Sequence, residues 1–369
     1  MDNENKIVYL DYNATAPIKK EALDRMVEIY TNHPGNADSR THEYGTAAKQ
    51  IVSGCRTSLS SILGVSDTEL VFTGGSTESN NMAILGLYDH AQKTGRKHFI
   101  TTSIEHKSVL EAMKRLETLG CEVDYVAPDS TGRISAEALL ALVKDTTLLV
   151  SVMHINSETG IIQPVEEIGE ALSKTNVYFH VDATQSFGKL NDVIRNMKYD
   201  MLSFTAHKFG GPQGVGGLVL RRKRYKLPPI TSLFCGGQQE RGIRPGTTPV
   251  ALVAGMTTAA ETADSECAEQ QAKCAVIKEE LLKHLEGIRY TINGAPEHCI
   301  SNTINISFDG VDAESLFVAL KAEYAFSNGS ACNSSSYTPS YVLTEMGLST
   351  KLINEAVRIS WSANSEVDF

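Results

Sequence analysis

Val177-Tyr178-Phe179-His180-Val181-Asp182-Ala183-Thr184-Gln185-Ser186 is an apolar, β-branched run that ends in a carboxylate and continues into small polar residues. A run of this length reads as a buried strand. In doubly wound sheets, ligands bind at the carboxyl ends of strands, which sets Asp182 toward a binding crevice. On its own, such an aspartate would as readily cap the next helix. Further along, Ser203-Phe204-Thr205-Ala206-His207-Lys208-Phe209-Gly210-Gly211-Pro212 repeats the plan: a strand, then hydroxyl, imidazole and amine, then a glycine-rich turn. A lysine at a strand end is usually just solvated, so Lys208 gains meaning only beside Asp182.

Outward from these two runs, short β-branched segments alternate with helical periodicity. They are Leu70-Val71-Phe72, Phe99-Ile100-Thr101, Val123-Asp124-Tyr125-Val126, and the runs 148–153, 201–204 and 215–220. Apolar residues at spacings of three and four in 108–119 and 135–143 mark covering helices. The alternation predicts an α/β fold with a mainly parallel sheet. It breaks near Thr247, where one long helical pattern over 249–285 follows and should bridge two units. Residues 302–308, a helix over 313–323 and a late strand over 357–361 then suggest a small α+β domain, which a helix near Lys20 to Tyr30 is expected to join. The expected division is a large domain over 16–248 and a small domain from 1–15 and 249–369.

The 369 residues exceed the usual single-core size of roughly 250–300, consistent with two packed units. Apolar residues at 41% and charged residues at 21% are ordinary for a globular chain. A net charge of -10 opposes phosphate binding, and the one dense basic run, Arg221-Arg222-Lys223-Arg224, reads as a solvated strand end. No direct nucleic-acid binding is therefore expected. Seven cysteines without CxxC pairing argue for a reducing compartment, hence the cytoplasm, and no metal site is expected. No apolar run approaches the roughly 20 residues of a membrane span.

Pyridoxal phosphate requires a lysine for its Schiff base and an acidic partner for its pyridinium nitrogen. Lys208 and Asp182, closing neighbouring strands, supply both. A third element, Thr73-Gly74-Gly75-Ser76-Thr77-Glu78-Ser79, lies between a strand and a helix. Its glycines allow close approach, and its hydroxyls with helix N-terminal amides suit a phosphate. Taken alone, this could be plain turn chemistry.

Asp182-Ala183-Thr184-Gln185-Ser186, Ala206-His207-Lys208 and the turn at 74–79 resemble the class V aminotransferase family, whose fold is that of the pyridoxal-phosphate-dependent transferases. Within it the chain is similar to the cysteine desulfurases. Ser327-Asn328-Gly329-Ser330-Ala331-Cys332-Asn333-Ser334-Ser335 resembles the sulfur-accepting loop of the group that includes the NifS and IscS enzymes. Leu10-Asp11-Tyr12-Asn13-Ala14-Thr15-Ala16-Pro17, Glu105-His106-Lys107-Ser108, Met153-His154-Ile155-Asn156 and Gly236-Gly237-Gln238-Gln239-Glu240-Arg241-Gly242 follow the family's order along nearly the whole chain.

The resemblance implies a cofactor, pyridoxal 5'-phosphate, and assigns roles. Lys208 would be the Schiff-base lysine, Asp182 the pyridinium partner and Gln185 a donor to the phenolic oxygen. His106 would stack on the ring and take part in catalysis. Ser76, Thr77, Thr205 and His207 would hold the phosphate, joined by Thr247 from a second subunit, so a homodimer is implied. Asn13, Asn156 and Arg358 would meet the substrate, L-cysteine, the arginine gripping its carboxylate, with Asn156 also at the cofactor. Cys332 would take the sulfur as a persulfide, releasing alanine, and pass it to an acceptor or scaffold protein. The other six cysteines are read as lying in helical or strand-like contexts.

Some positions depart from the family pattern. Ser157 stands where a second asparagine is common, Pro245 where a serine precedes Gly-Thr, and Trp361 follows Ser360. Relatives usually continue through another helix after 364–368, which leads us to expect a shortened C-terminus with impaired scaffold docking. Gly35-Asn36-Ala37-Asp38-Ser39-Arg40-Thr41-His42-Glu43-Tyr44-Gly45 looks like the version in desulfurases of bacterial DNA phosphorothioation. Iron-sulfur assembly and tRNA thiolation share the first half-reaction. A transaminase or selenocysteine lyase would use the same cofactor without Cys332, and a non-catalytic partner protein would keep the fold without turnover.

Overall fold

The computed structural model describes residues 7–328 and 339–365. Twelve strands are formed: β1 (Val8–Tyr9), β2 (Leu70–Thr73), β3 (His98–Thr102), β4 (Glu122–Val126), β5 (Thr147–Met153), β6 (Tyr178–Asp182), β7 (Met201–Thr205), β8 (Gly216–Leu220), β9 (Tyr290–Ile292), β10 (Thr303–Phe308), β11 (Tyr324–Ala325) and β12 (Ala356–Ser360). Strands β2 to β8 make one sheet in the order β2-β8-β7-β6-β5-β3-β4. The pairs β4–β3, β3–β5, β5–β6 and β6–β7 are parallel, while β8 runs antiparallel to both β7 and β2. Every residue of β2, β3, β5, β7 and β8 is buried, as expected of strands covered on both faces. Parallel pairing aligns the carboxyl ends of β5, β6 and β7, so Met153, Asp182 and Ser203 lie side by side.

Two apolar cores flank this sheet. One gathers Phe179, Val181, Phe187, Leu202 and Phe204 with helix residues Ala22, Ile29, Leu59, Val253 and Ala259. The other joins Phe99, Leu148, Leu149 and Leu218 to Met82, Val109 and Leu116. The helix Lys20–Asn32, expected in the small domain, instead packs on the helix Val250–Ser265 over the large sheet, because its Ala22 and Ile29 belong to the first core. The single helix expected over 249–285 is two, Val250–Ser265 and Cys267–His284. The chain turns at Glu266, whose carboxylate is held by Lys19 at 3.2 Å. The first of the two carries a nearly continuous apolar surface and is buried, and the second is mostly polar and exposed.

A smaller antiparallel sheet, β12-β10-β9, carries its own core of Ile304, Ile306, Val357 and Trp361. Trp361 is 1% exposed, and its indole N–H donates to Cys274 O at 3.1 Å, tying the sheet to the helix Cys267–His284. The basic run is internally engaged: the Arg221 guanidinium lies 3.9 Å from the Tyr199 ring centroid, Arg222 donates to Thr68 and Lys223 to Asp200. No helix among the described residues is long and apolar enough to cross a membrane.

Truncating Trp361 to alanine would empty a large buried site and remove the indole's bond to Cys274 O. We expect Trp361→Ala to lose about 3–5 kcal/mol. Urea unfolding followed by circular dichroism checks this, and a loss under about 1 kcal/mol would show that Trp361 does not anchor the small sheet.

Candidate active site

At the carboxyl edge of the large sheet lies a cavity of about 730 Å³, lined among others by Asn13, Ser76, Thr77, His106, Asp182, Gln185, His207, Lys208 and Arg358. Asp182 ends β6 and is 5% exposed. A carboxylate so buried needs donors. Asn80 Nδ2 gives one at 2.7 Å to Oδ2, and Thr184 N gives another at 3.0 Å to Oδ1. The same Asn80 amide donates its second proton to Ser108 Oγ at 2.9 Å, and Ser108 Oγ lies 2.8 Å from His106 Nδ1. Ser108 N also donates to that ring nitrogen at 3.1 Å, with His106 capping the helix Lys107–Thr118. With Nδ1 accepting, a neutral His106 carries its proton on Nε2. Burial holds its pKa below the usual imidazole value, outweighing the pull of Asp182.

Lys208 follows β7 in a short 3₁₀ turn, Ala206–Lys208, and its amine donates to Asn13 O and Ala14 O, both at 2.7 Å. Gln185 Nε2 donates to the same Asn13 O at 2.9 Å. His207 is pushed down to about 4, first by burial and then by the Lys208 charge, and its Nδ1 lies 3.2 Å from Thr15 Oγ1. The segment before Ala16 thus runs across the cavity as a strap.

At the opposite end of the cavity the helix Ser76–Leu85 begins after Gly75, whose φ of 142° a side chain would resist. A Cβ on Gly216 would stand 2.8 Å from Gly75 Cα, so the paired glycines let the turn settle against β7 and β8. Ser76, Thr77 and His207 also line a second cavity of about 740 Å³, together with Thr205, Leu233 and Phe234. Glu78 accepts from Gly74 N at 2.7 Å and from Arg244 Nε at 2.8 Å, linking the turn to the loop that carries Thr247. Thr247 is exposed and lines neither cavity of its own chain.

Arg358 lies on β12 and is 3% exposed. Its Nη2 pairs with Asp11 Oδ1 at 2.5 Å and donates to Ser327 Oγ at 2.8 Å, its Nη1 donates to Ser157 O at 3.0 Å, and Nε has no partner. Asn13 Nδ2 donates to Ser157 O and Thr303 Oγ1, while its buried Oδ1 is unpartnered. Both contacts with residue 157 use its carbonyl, which explains why a serine is accommodated there. Asn156 does not line the cavity; its amide donates to Ile104 O, and its Oδ1 accepts from Glu158 N and Thr159 N, shaping the loop beneath.

Cys332 lies outside the described residues; before it, Ser327 bonds Arg358 and Asp11, and after it Pro339 and Tyr341 line the cavity. Cys235 is exposed in an irregular segment ahead of Gly236, a correction to the regular context expected of it. Sequence reading missed Asn80, Ser108 and Asp11. Asn80 follows Ser76 by one helical turn, a spacing that would have placed it over the same end of the sheet. Nothing local marks Asp11 as the counter-ion of a residue 347 positions away.

Carboxylate, amine, imidazole and a glycine-hydroxyl turn at a helix start thus meet at one edge of the sheet of an α/β fold. The chain belongs to the aminotransferase class-V family, whose model matches residues 8–368, and falls in its cysteine desulfurase branch. It is similar to the cysteine desulfurase IscS of Serratia proteamaculans (strain 568), 41% identical over 371 residues, with 98% of this chain and 90% of the relative covered. The IscS of Escherichia coli (strain K12 / DH10B) is 40% identical over 368 residues at the same coverages. Among solved structures, DndA from Streptomyces lividans is 40% identical with a TM-score of 0.84, covering 95% of this chain and 98% of that one. A NifS-like protein is 35% identical with a TM-score of 0.89, covering 97% of this chain and 94% of that one.

Because Nδ1 accepts from Ser108 and burial opposes charge, His106 should be neutral at pH 7 and gain its proton only below the ordinary value of 6.5. Proton NMR of the apoprotein, with His106→Gln for assignment, reads the midpoint. A midpoint above 6.5 would contradict the network as drawn.

Proposed function

We propose that this chain removes sulfur from L-cysteine with pyridoxal 5'-phosphate and accepts it on Cys332 as a persulfide. The observation that carries this reading is the placement of the Lys208 amine and the Asp182 carboxylate on neighbouring strand ends of one cavity, with an anion-binding turn at its far side. The donor set fits the cofactor: Asp182 suits a basic ring nitrogen, His106 a ring face, Gln185 a phenolic oxygen, and Ser76, Thr77, Thr205 and His207 a phosphate. When bound, pyridoxal phosphate supplies an electron sink for the substrate carbons.

The chain's own residues do the rest. Arg358 offers its unpartnered Nε and a partly engaged Nη1 to the substrate carboxylate, and Asp11 keeps the guanidinium in place. Lys208 moves protons at the substrate carbons from the strap side, where Asn13 O and Ala14 O hold its amine. The sulfur of Cys332 forms a bond to the substrate sulfur as the carbon-sulfur bond breaks. The electron pair stays with the carbon skeleton, which takes a proton and leaves as alanine. The resulting persulfide goes to an acceptor protein.

For the destination of the sulfur, the loop at 35–45 and the likeness to DndA support DNA phosphorothioation. This loop is compact: Asn36 Oδ1 accepts from Asp38 N, His42 caps the helix Glu43–Leu63, and Asp38 accepts from Gln239 at 2.8 Å. Thr247, exposed in its own subunit, is assigned to the phosphate of a partner subunit, so the active species is a homodimer. No transmembrane helix is found among the described residues, and the proposed location is the cytoplasm.

Incubation with cysteine in the absence of reductant should leave one additional sulfur on the Cys332 peptide, removable by dithiothreitol, and release alanine. Cys332→Ser should bind the cofactor and respond spectrally to cysteine yet release no alanine. Lys208→Ala should lose turnover, and borohydride should fix the cofactor to Lys208 alone. Mass spectrometry reads the persulfide, the alanine and the reduced adduct, absorbance reads the response to cysteine, Cys235→Ser is a control for the exposed thiol among the described residues, and a persulfide mainly on Cys235 would sink the Cys332 assignment.

Thr247→Ala should weaken cofactor binding while leaving each subunit folded, and sedimentation should find the active protein dimeric. A fully active monomer at assay concentration would refute the shared site.

A further inference from the structure

Gln185 reaches the cavity from the loop after β6, and its amide is held at both ends. Nε2 donates to Asn13 O at 2.9 Å, while Oε1 accepts from Lys189 Nζ at 3.2 Å. A backbone carbonyl only accepts, so Asn13 O marks which end of the amide is nitrogen, and the Lys189 amine donates to the other end. Of the two Nε2 protons, Asn13 O uses one, and the other is left for a ligand in the cavity. Among the described residues Lys189 itself has no carboxylate paired with it. Lys208 and Arg358, of like sign, both act against its charge, the Cys274 thiol acts in its favour, and among the described residues its amine donates to Gln185. Burial pulls its amine down to about 7. A lysine kept in so unfavourable a place for packing alone could have been a leucine or methionine. Lys189 also anchors its own turn, since its carbonyl accepts from Cys267 Sγ at 3.0 Å, but that contact is made by the backbone and does not need the amine.

We infer that Lys189 is a positioning residue that holds the Gln185 amide with its N–H toward the cofactor's phenolic oxygen. This rests on the cofactor reading given above and adds to it the residue that sets the polarity of one contact. If Lys189 is removed, Asn13 O alone orients the amide, and Gln185 can turn its oxygen to the cavity, where it would repel the phenolic oxygen.

The test is a double-mutant cycle on cofactor affinity, titrated by absorbance into the full-length apoprotein at one pH. Lys189→Met should weaken pyridoxal phosphate binding about fivefold, the size of one net hydrogen bond, and shift the absorbance maximum of the bound form. Lys189→Arg keeps a donor and should restore both. Gln185→Leu should show a similar loss, and adding Lys189→Met to it should cost nothing further, because a residue acting through another has no effect once that other is gone. Equal losses from Lys189→Met in both backgrounds would overturn the inference in favour of a direct charge effect, as would an unchanged affinity and spectrum in folded Lys189→Met. Should Lys189→Met not fold, Lys189→Gln, too short to span the bond, must give the same pattern. Wild-type protein that takes no cofactor would overturn the cofactor reading, and this inference with it, whereas wild type that binds while the cycle is additive overturns this inference alone.

Discussion

A carboxylate with 5% exposure at the end of a central strand cannot stand without donors, and the way Asp182 gets them organises the site. One partner comes from its own turn at Thr184 and the other from Asn80, on the helix that begins after Gly75. Asn80 in turn fixes Ser108 and through it His106. A single buried charge therefore ties together the loops after β2, β3 and β6. Removing its partner would cost on the order of 1–3 kcal/mol for the unmet hydrogen bond, and it would also release the imidazole that faces the cavity.

The second constraint is the strap formed by residues 7–16. β1 pairs with β11, Leu10 O accepts from Ser360 N, Asn13 bridges Ser157 and Thr303, and Ala16 N reaches His207 O. The strap supplies the acceptors for Lys208 and Gln185 and the counter-ion for Arg358. The Asp11–Arg358 pair is almost wholly buried at the arginine. Breaking such a pair costs about 3–5 kcal/mol, chiefly through the charge left alone. The small sheet and the large sheet are thus joined at the Arg358 end of the cavity by polar contacts, while Trp361 ties the small sheet to the helix Cys267–His284.

Period and composition made the large sheet legible: all seven of its strands lie within one or two residues of their expected places, because buried strands in an α/β fold have few ways to look different. The strand-end residues Asp182 and Lys208 were legible for the same reason. What was not legible depends on distance along the chain. Glu266, where the helix breaks, pairs with the distant Lys19, and the helix Lys20–Asn32 packs on the apolar surface of a helix some 230 positions later. The bonds that the Asn156 amide makes to its own loop depend on local backbone geometry, which the sequence does not display.

The strap has a consequence for biosynthesis. Its sheet partners are β11 and β12, near the far end of the chain, and the guanidinium that answers Asp11 is residue 358. Throughout translation the first residues to leave the ribosome have no place to go, while the strands of the large sheet are complete by Leu220 with one of its two cores, the other waiting only for the helix Val250–Ser265. The pocket therefore closes last, after almost the whole polypeptide has emerged. A nascent or C-terminally interrupted chain would have the sheet without the amine-holding carbonyls in position, and would be unable to finish its own reaction chamber.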